Sequence, residues 1–119
     1  MTRVFVYGTL KRKGRNHRFL AGQQFLGEAR TACGYTLYSL GDYPGMVRSA
    51  NPAHLVTGEV WDVDAACLAG LDKLEGLEEG LYAREAITLT PPFDDQAVDT
   101  YLYLRNLEGR PALGSVWRE

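Results

Sequence analysis

The chain has 119 residues, enough for one hydrophobic core, and its 45% hydrophobic and 24% charged composition suits a folded globular protein. A net charge of −2 gives no electrostatic case for nucleic acid or an anionic membrane as partner, and no apolar run approaches the length of a membrane span. Cys33 and Cys67, with no basic-then-apolar leader ahead of the first strand, point to a reduced, cytoplasmic compartment and not to a disulfide framework.

Along the chain, residues 3–7 form a β-branched and aromatic run that ends at Gly8. Residues 24–31 and 35–40 read as strands, broken by Gly34 and by Gly41-Asp42. Residues 46–48 form a short extended piece after Tyr43-Pro44-Gly45. Residues 55–63 are the next strand, residues 82–90 alternate and stop at Pro91-Pro92, and residues 97–104 make the last clear strand. Two helical segments interrupt this series. Asn16 is placed to cap a turn over 17–21, with Gly22 as its stop, and Asp64 caps a helix over 65–75 that Gly76 ends. The expected fold class is α+β, a compact and mostly antiparallel β-barrel with a few short flanking helices, in one domain over 1–119.

The second helix carries an anomaly. At about 100° per residue, Cys67, Leu68, Leu71 and Leu74 share a stripe, and Glu75 projects onto it between Leu71 and Leu68. A carboxylate on an apolar face in the last turn is disfavoured by burial and by the helix dipole, so its neutral form gains. That is the environment that lets a carboxyl carry protons near neutral pH. The plain alternative is a frayed helix end that lets Glu75 swing into water.

Strand one runs into Tyr7-Gly8-Thr9-Leu10. Gly8 is able to adopt a backbone closed to other residues, and successive amides at such a turn form a nest for a carboxylate or phosphate. The alternative is an ordinary strand-ending turn, and the Lys-Ser/Thr spacing of a P-loop is missing. Lys11, Arg12, Lys13, Arg15 and Arg18 crowd the next stretch, either as a solvated basic loop or as an attractor for small anions. Tyr82, seven residues beyond Glu75, brings a hydroxyl that could bond a polar group in a pocket or simply reach the surface. His17 and His54 lie far apart and no Cys or His pair has ligand spacing, so no metal is expected. Cys67 reads as a small core residue, Cys33 has no neighbouring His in sequence, and Glu78 and Glu79 follow Gly76 as solvated loop charges.

Tyr7-Gly8-Thr9-Leu10-Lys11-Arg12 followed by Asn16-His17 resembles the opening of the γ-glutamyl cyclotransferase-like proteins, particularly γ-glutamylamine cyclotransferase and its bacterial relatives. Gly58-Glu59-Val60, Leu71-Asp72-Lys73-Leu74-Glu75-Gly76, Tyr82-Ala83-Arg84, Tyr101-Leu102-Tyr103 and Trp117 extend the resemblance over nearly the whole chain. The family often has a glycine where this chain has Lys13, with Gly14 next.

The resemblance implies a compact β-barrel with flanking helices, Tyr7, Gly8, Thr9 and Leu10 at the α-carboxylate and amino end of a small γ-glutamyl substrate, Glu75 as acid/base, and Tyr82 near the site. It implies release of 5-oxoproline by attack of the substrate's own α-amine on its γ-carbonyl, with no metal, no other cofactor and no enzyme nucleophile. Two other readings remain: a binding module of the same fold without turnover, and a related acyl-removing step with a different leaving group. The leaving amine and the oligomeric state are not legible in the sequence.

Overall fold

Val4, Phe5 and Val6 are all buried, which explains why strand β1 (Thr2–Val6) lacks polar alternation: it is covered on both faces. The computed structural model describes residues 1–118. After β1 and its loop come a 3₁₀ turn (His17–Leu20), β2 (Gln24–Arg30), β3 (Tyr35–Ser39), β4 (Pro44–Arg48) and β5 (Thr57–Val63). Helix α1 (Ala65–Leu74), β6 (Tyr82–Ile87), β7 (Val98–Tyr103) and β8 (Ala112–Gly114) complete the chain.

β1 lies at the centre of a five-stranded sheet of order β2-β5-β1-β7-β6. All its neighbours pair antiparallel except β1 with β7, which is parallel through Val4 opposite Asp99. A second sheet of order β4-β3-β8 packs across it. β8 is an element that the sequence pattern does not show. It comes from the tail after Leu104 and pairs with β3.

The α+β class holds, but the barrel does not: the sheets are not closed. The two edges of the large sheet meet at one end only, through a bridge from Thr31 to Leu89, with Ala32 N–H donating to Thr88 O and Thr90 N–H donating to Arg30 O at 2.9 Å each. Extending that seam along β2 would need amides from residues 91 and 92, and both are proline, which has none. In the other direction the chain turns away at Gly34 into β3.

The core has two parts, one on each face of β1. Phe5 and Tyr7 join Leu37, Met46, Val60 and Leu102 between the two sheets. Val4 and Val6 join Leu20, Trp61, Val63 and Leu71 under the 3₁₀ turn and α1. The period-2 alternation of β1 therefore divides its side chains between two cores and holds the loop after it against both. No helix among the described residues is long and apolar enough to cross a membrane.

Candidate functional site

A cavity of about 260 Å³ opens where the turn after β1, the β3–β4 turn and the C-terminal end of α1 converge. Gly8, Thr9, Pro44, Glu75, Tyr82 and Tyr101 are among its lining residues.

Glu75 is fixed by the way α1 ends. Asp64 caps the start, its carboxylate accepting from Cys67 N–H at 2.7 Å. At the far end Gly76 takes φ +65°, Gly76 N–H donates to Lys73 O at 3.1 Å and Leu77 N–H to Asp72 O at 3.2 Å. That pair of bonds is a Schellman motif with Glu75 as the C-cap. Glu75 N–H still donates to Leu71 O at 2.9 Å, so the helix end is closed and does not fray. The carboxyl lines the cavity and accepts no hydrogen bond from the described residues. Burial alone pushes it up to about 7. An unpaired carboxyl at that value exchanges a proton readily near neutral pH.

Facing Glu75 is the turn after β1. Gly8 is not in the left-handed region; its lack of a side chain answers a close approach instead. A Cβ there would lie 2.7 Å from Pro44 Cγ and 2.9 Å from Pro44 Cδ, inside a rigid ring. The three carbonyls of the turn are all engaged by the loop that follows. Gly8 O accepts from Lys11 N–H at 3.2 Å, Thr9 O from Asn16 N–H at 3.0 Å, and Leu10 O from His17 Nδ1 at 3.0 Å, a contact that puts the imidazole proton on Nδ1. The amides of Gly8, Thr9 and Leu10 have no acceptor among the described residues. Asn16 caps nothing with its side chain, contrary to the expectation for the 17–21 turn. Its Nδ2 donates to Thr9 Oγ1 at 3.0 Å instead.

Three tyrosines complete the wall. Tyr7 points away from the turn into the core, donating to Tyr101 O at 2.6 Å and accepting from Met46 N–H at 3.3 Å. Tyr82 donates to Pro44 O at 2.7 Å, holding the ring that packs on Gly8. Tyr101 donates to Asp72 Oδ1 at 2.7 Å, and Asp72 also receives Arg84 Nε at 3.0 Å and Nη2 at 3.3 Å. Desolvation raises all three phenols, with the Glu75 carboxylate adding to each, so they stay neutral.

Much of the basic cluster is structural. Glu59, buried on β5, accepts from Arg12 N–H at 3.0 Å, Arg12 Nε at 3.1 Å and Trp61 Nε1 at 3.1 Å. Arg12 also stacks 3.9 Å from the Phe25 ring centroid and pairs with Glu28 at 3.2 Å. Lys11 Nζ donates to Trp117 O at 2.8 Å. Of this group Arg15 borders the cavity. Lys13 has φ +70°, a left-handed backbone that glycine adopts more readily than a residue with a side chain.

The structure thus brings Tyr7, Gly8, Thr9, Leu10, Glu75 and Tyr82 around one cavity, with Tyr7 and Tyr82 serving it through groups other than a free hydroxyl proton. Sequence reasoning missed Tyr101 and Asp72 as wall and brace, and Glu59 as the anchor of the loop. Glu59 carried a signal: an acid in an apolar strand two residues before a tryptophan. Among the described residues no cluster of His, Cys, Asp or Glu could hold a metal ion.

The description "Gamma-glutamyl cyclotransferase, AIG2-like" matches residues 4–119, and the chain belongs to that family of cyclotransferase enzymes. It is 39% identical over 107 residues to the Escherichia coli (strain K12) gamma-glutamylcyclotransferase family protein YtfP, covering 90% of this chain and 87% of that one. The solution structure of ytfP from Escherichia coli superposes with a TM-score of 0.73 at 37% identity, over 98% of this chain and 95% of that one. A Rattus norvegicus gamma-glutamylaminecyclotransferase is 34% identical over 94 residues, 73% of this chain and 62% of that protein.

Proposed function

We propose that this cyclotransferase releases 5-oxoproline and an amine from a small γ-glutamyl amine or peptide, with Glu75 as the group that moves the proton. The observation that carries this reading is the unpaired, desolvated Glu75 carboxyl across the cavity from the amides of Gly8, Thr9 and Leu10.

The chemistry balances without a further reactant. The α-amine nitrogen of the γ-glutamyl group attacks its own γ-carbonyl carbon, and a five-membered lactam forms. Glu75 takes a proton from the attacking nitrogen and delivers it to the leaving nitrogen as the original amide bond breaks. Amides at the turn hold the α-carboxylate, curling the substrate so that amine and carbonyl meet. Such positioning corresponds to effective molarities of about 10⁵–10⁸ M. Proton transfer by one carboxyl adds about 10²–10⁴-fold. The neutral phenols of Tyr82 and Tyr101 line the wall without adding charge that would compete with Glu75.

The test is release of 5-oxoproline from a panel of γ-glutamyl amines and dipeptides. Wild type should release it, with kcat/KM rising as pH passes through about 7, where the carboxyl becomes a base. Glu75→Gln should lose about 10²–10⁴-fold in kcat while keeping ligand affinity. Affinity without release from any member of the panel would identify a binding module in place of the enzyme.

A further inference from the structure

We propose that Asn16 is a positioning residue that biases the Thr9 hydroxyl toward donating into the cavity, so that Thr9 favours a carboxylate. The proposal deepens the reading above and rests on it for the identity of that carboxylate, the α-carboxylate of the γ-glutamyl group.

A threonine hydroxyl left to itself has two faces: it donates one hydrogen bond and accepts two. In a cavity wall it would receive an amide or ammonium as readily as it would donate to an anion. Thr9 is buried and lines the cavity, and Asn16 narrows that ambiguity by filling one of the two acceptor sites. Asn16 N–H donates to Thr9 O at 3.0 Å, and Asn16 Nδ2 donates to Thr9 Oγ1 at 3.0 Å. One residue engages both oxygens of Thr9. The Thr9 hydroxyl proton and amide proton meet no acceptor among the described residues. Lys11 N–H and His17 Nδ1 treat the carbonyls of Gly8 and Leu10 the same way. The turn therefore offers the cavity three amide donors and one hydroxyl whose acceptor side is already half occupied by Asn16.

Closing the loop does not require the side-chain bond, because Asn16 N–H to Thr9 O already closes it. What the side-chain bond adds is direction. A surface rich in donors and poor in acceptors, in a desolvated site, disfavours a primary amide or an ammonium, whose own protons would face protons.

Substitution can reverse that direction. Asn16→Asp keeps size and offers an acceptor, so the Thr9 hydroxyl turns to donate to it and shows the cavity a lone pair; because it also adds a negative charge, Asn16→Leu, neutral and close in size, is measured beside it. Thr9→Val removes the donor and keeps the shape, and Thr9→Ser keeps both. The probe is 5-oxoproline, which retains the α-carboxylate, with its primary amide, 5-oxoprolinamide, as the neutral counterpart. Binding is read by calorimetry, turnover by 5-oxoproline release, and folding by thermal unfolding.

Wild type should bind 5-oxoproline at least about tenfold more tightly than the amide. Asn16→Asp, Asn16→Leu and Thr9→Val should each weaken 5-oxoproline, the first and last by about tenfold or more, and shrink that discrimination, while Thr9→Ser recovers most of the loss; a loss in Asn16→Asp with Asn16→Leu like wild type would be charge repulsion and would overturn the assignment. In turnover the loss should fall on KM with kcat little changed, because the carboxylate bears the same charge in ground and transition states. Folded Asn16→Asp that binds and discriminates like wild type would overturn the assignment and leave the proposed reaction standing, as would a loss confined to kcat. Should Asn16→Asp fail to fold, the contrast between Thr9→Val and Thr9→Ser decides, and no contrast would overturn it. Wild type that neither binds 5-oxoproline nor releases it would defeat the substrate class and the assignment together.

Discussion

Glu75 shows how one residue's solvation sets both chemistry and stability. Its carboxyl moves from an ordinary 4.5 to about 7 because burial penalises the charged form. Between those values the native state binds more protons than the unfolded chain, so the contribution to stability is present at low pH and is lost as pH rises through about 7. Glu75→Gln removes that dependence. The variant should match wild type near pH 4 and exceed it by about 1–3 kcal/mol at pH 8, as read from urea midpoints. A difference that does not change with pH would refute the desolvated carboxyl. Lys13 is a second residue-scale case. Its φ of +70° costs about 1 kcal/mol for a side-chain-bearing residue. Lys13→Gly removes that strain but frees the unfolded chain, so the expected net change is small, about 0–1 kcal/mol stabilising. Lys13→Val should instead lower the thermal midpoint, since a β-branched side chain tolerates that backbone least.

At the scale of the element, the end of α1 is what turns an acid into a site. The Schellman bonds from Gly76 and Leu77 set the path of the chain just after Glu75, and Asp72 braces the same turn to Tyr101 and Arg84. Gly76→Ala should cost about 1–2 kcal/mol, because φ +65° is strained for alanine and its Cβ would sit 3.1 Å from Leu81 Cβ. The larger effect should be on kcat, since a small displacement of the helix end moves the carboxyl. A fall in stability with kcat intact would mean that Glu75 is located by its neighbours and not by the cap. The loop after β1 is set in the same manner. Three hydrogen bonds converge on the buried Glu59 carboxylate, which is why Arg12 belongs to the scaffold although it looks like a ligand-binding residue in sequence.

For the whole molecule, Tyr7 is the tie between sheets. Its hydroxyl donates to the carbonyl of Tyr101 in β7 and accepts from the amide of Met46 in β4, so one oxygen links the five-stranded sheet to the three-stranded one. Tyr7→Phe leaves both buried groups without that partner and should cost about 1–3 kcal/mol, measured by denaturant unfolding. The cavity lies along this junction, so KM should rise as well. Unchanged stability would show that the sheets are held by packing alone. The open edges of the large sheet fit the same picture. A closed barrel would need pairing along residues that Pro91 and Pro92 cannot supply.

The periodicity of α1, its Asp64 cap and Gly76 stop, most of the strands, and Glu75 on an apolar stripe were legible because local physics writes them into spacing and turn chemistry. The ordered run from Tyr7-Gly8-Thr9-Leu10 to Leu74-Glu75-Gly76 and Tyr82 likewise carried the family. Other features depend on partners distant in the chain. Tyr82 is 38 residues from the Pro44 carbonyl it holds, and Tyr7 is 94 residues from Tyr101. Whether Gly8 served conformation or close approach depended on where the Pro44 ring came to rest. β8 is three exposed residues with no pattern of its own, defined only by pairing with β3. Sequence by itself determined most of the elements and the carboxyl that burial would perturb. Only the tertiary structure decided what buries it, which donors face it, and that the sheets stay open, because those outcomes are contacts between residues that the chain keeps far apart.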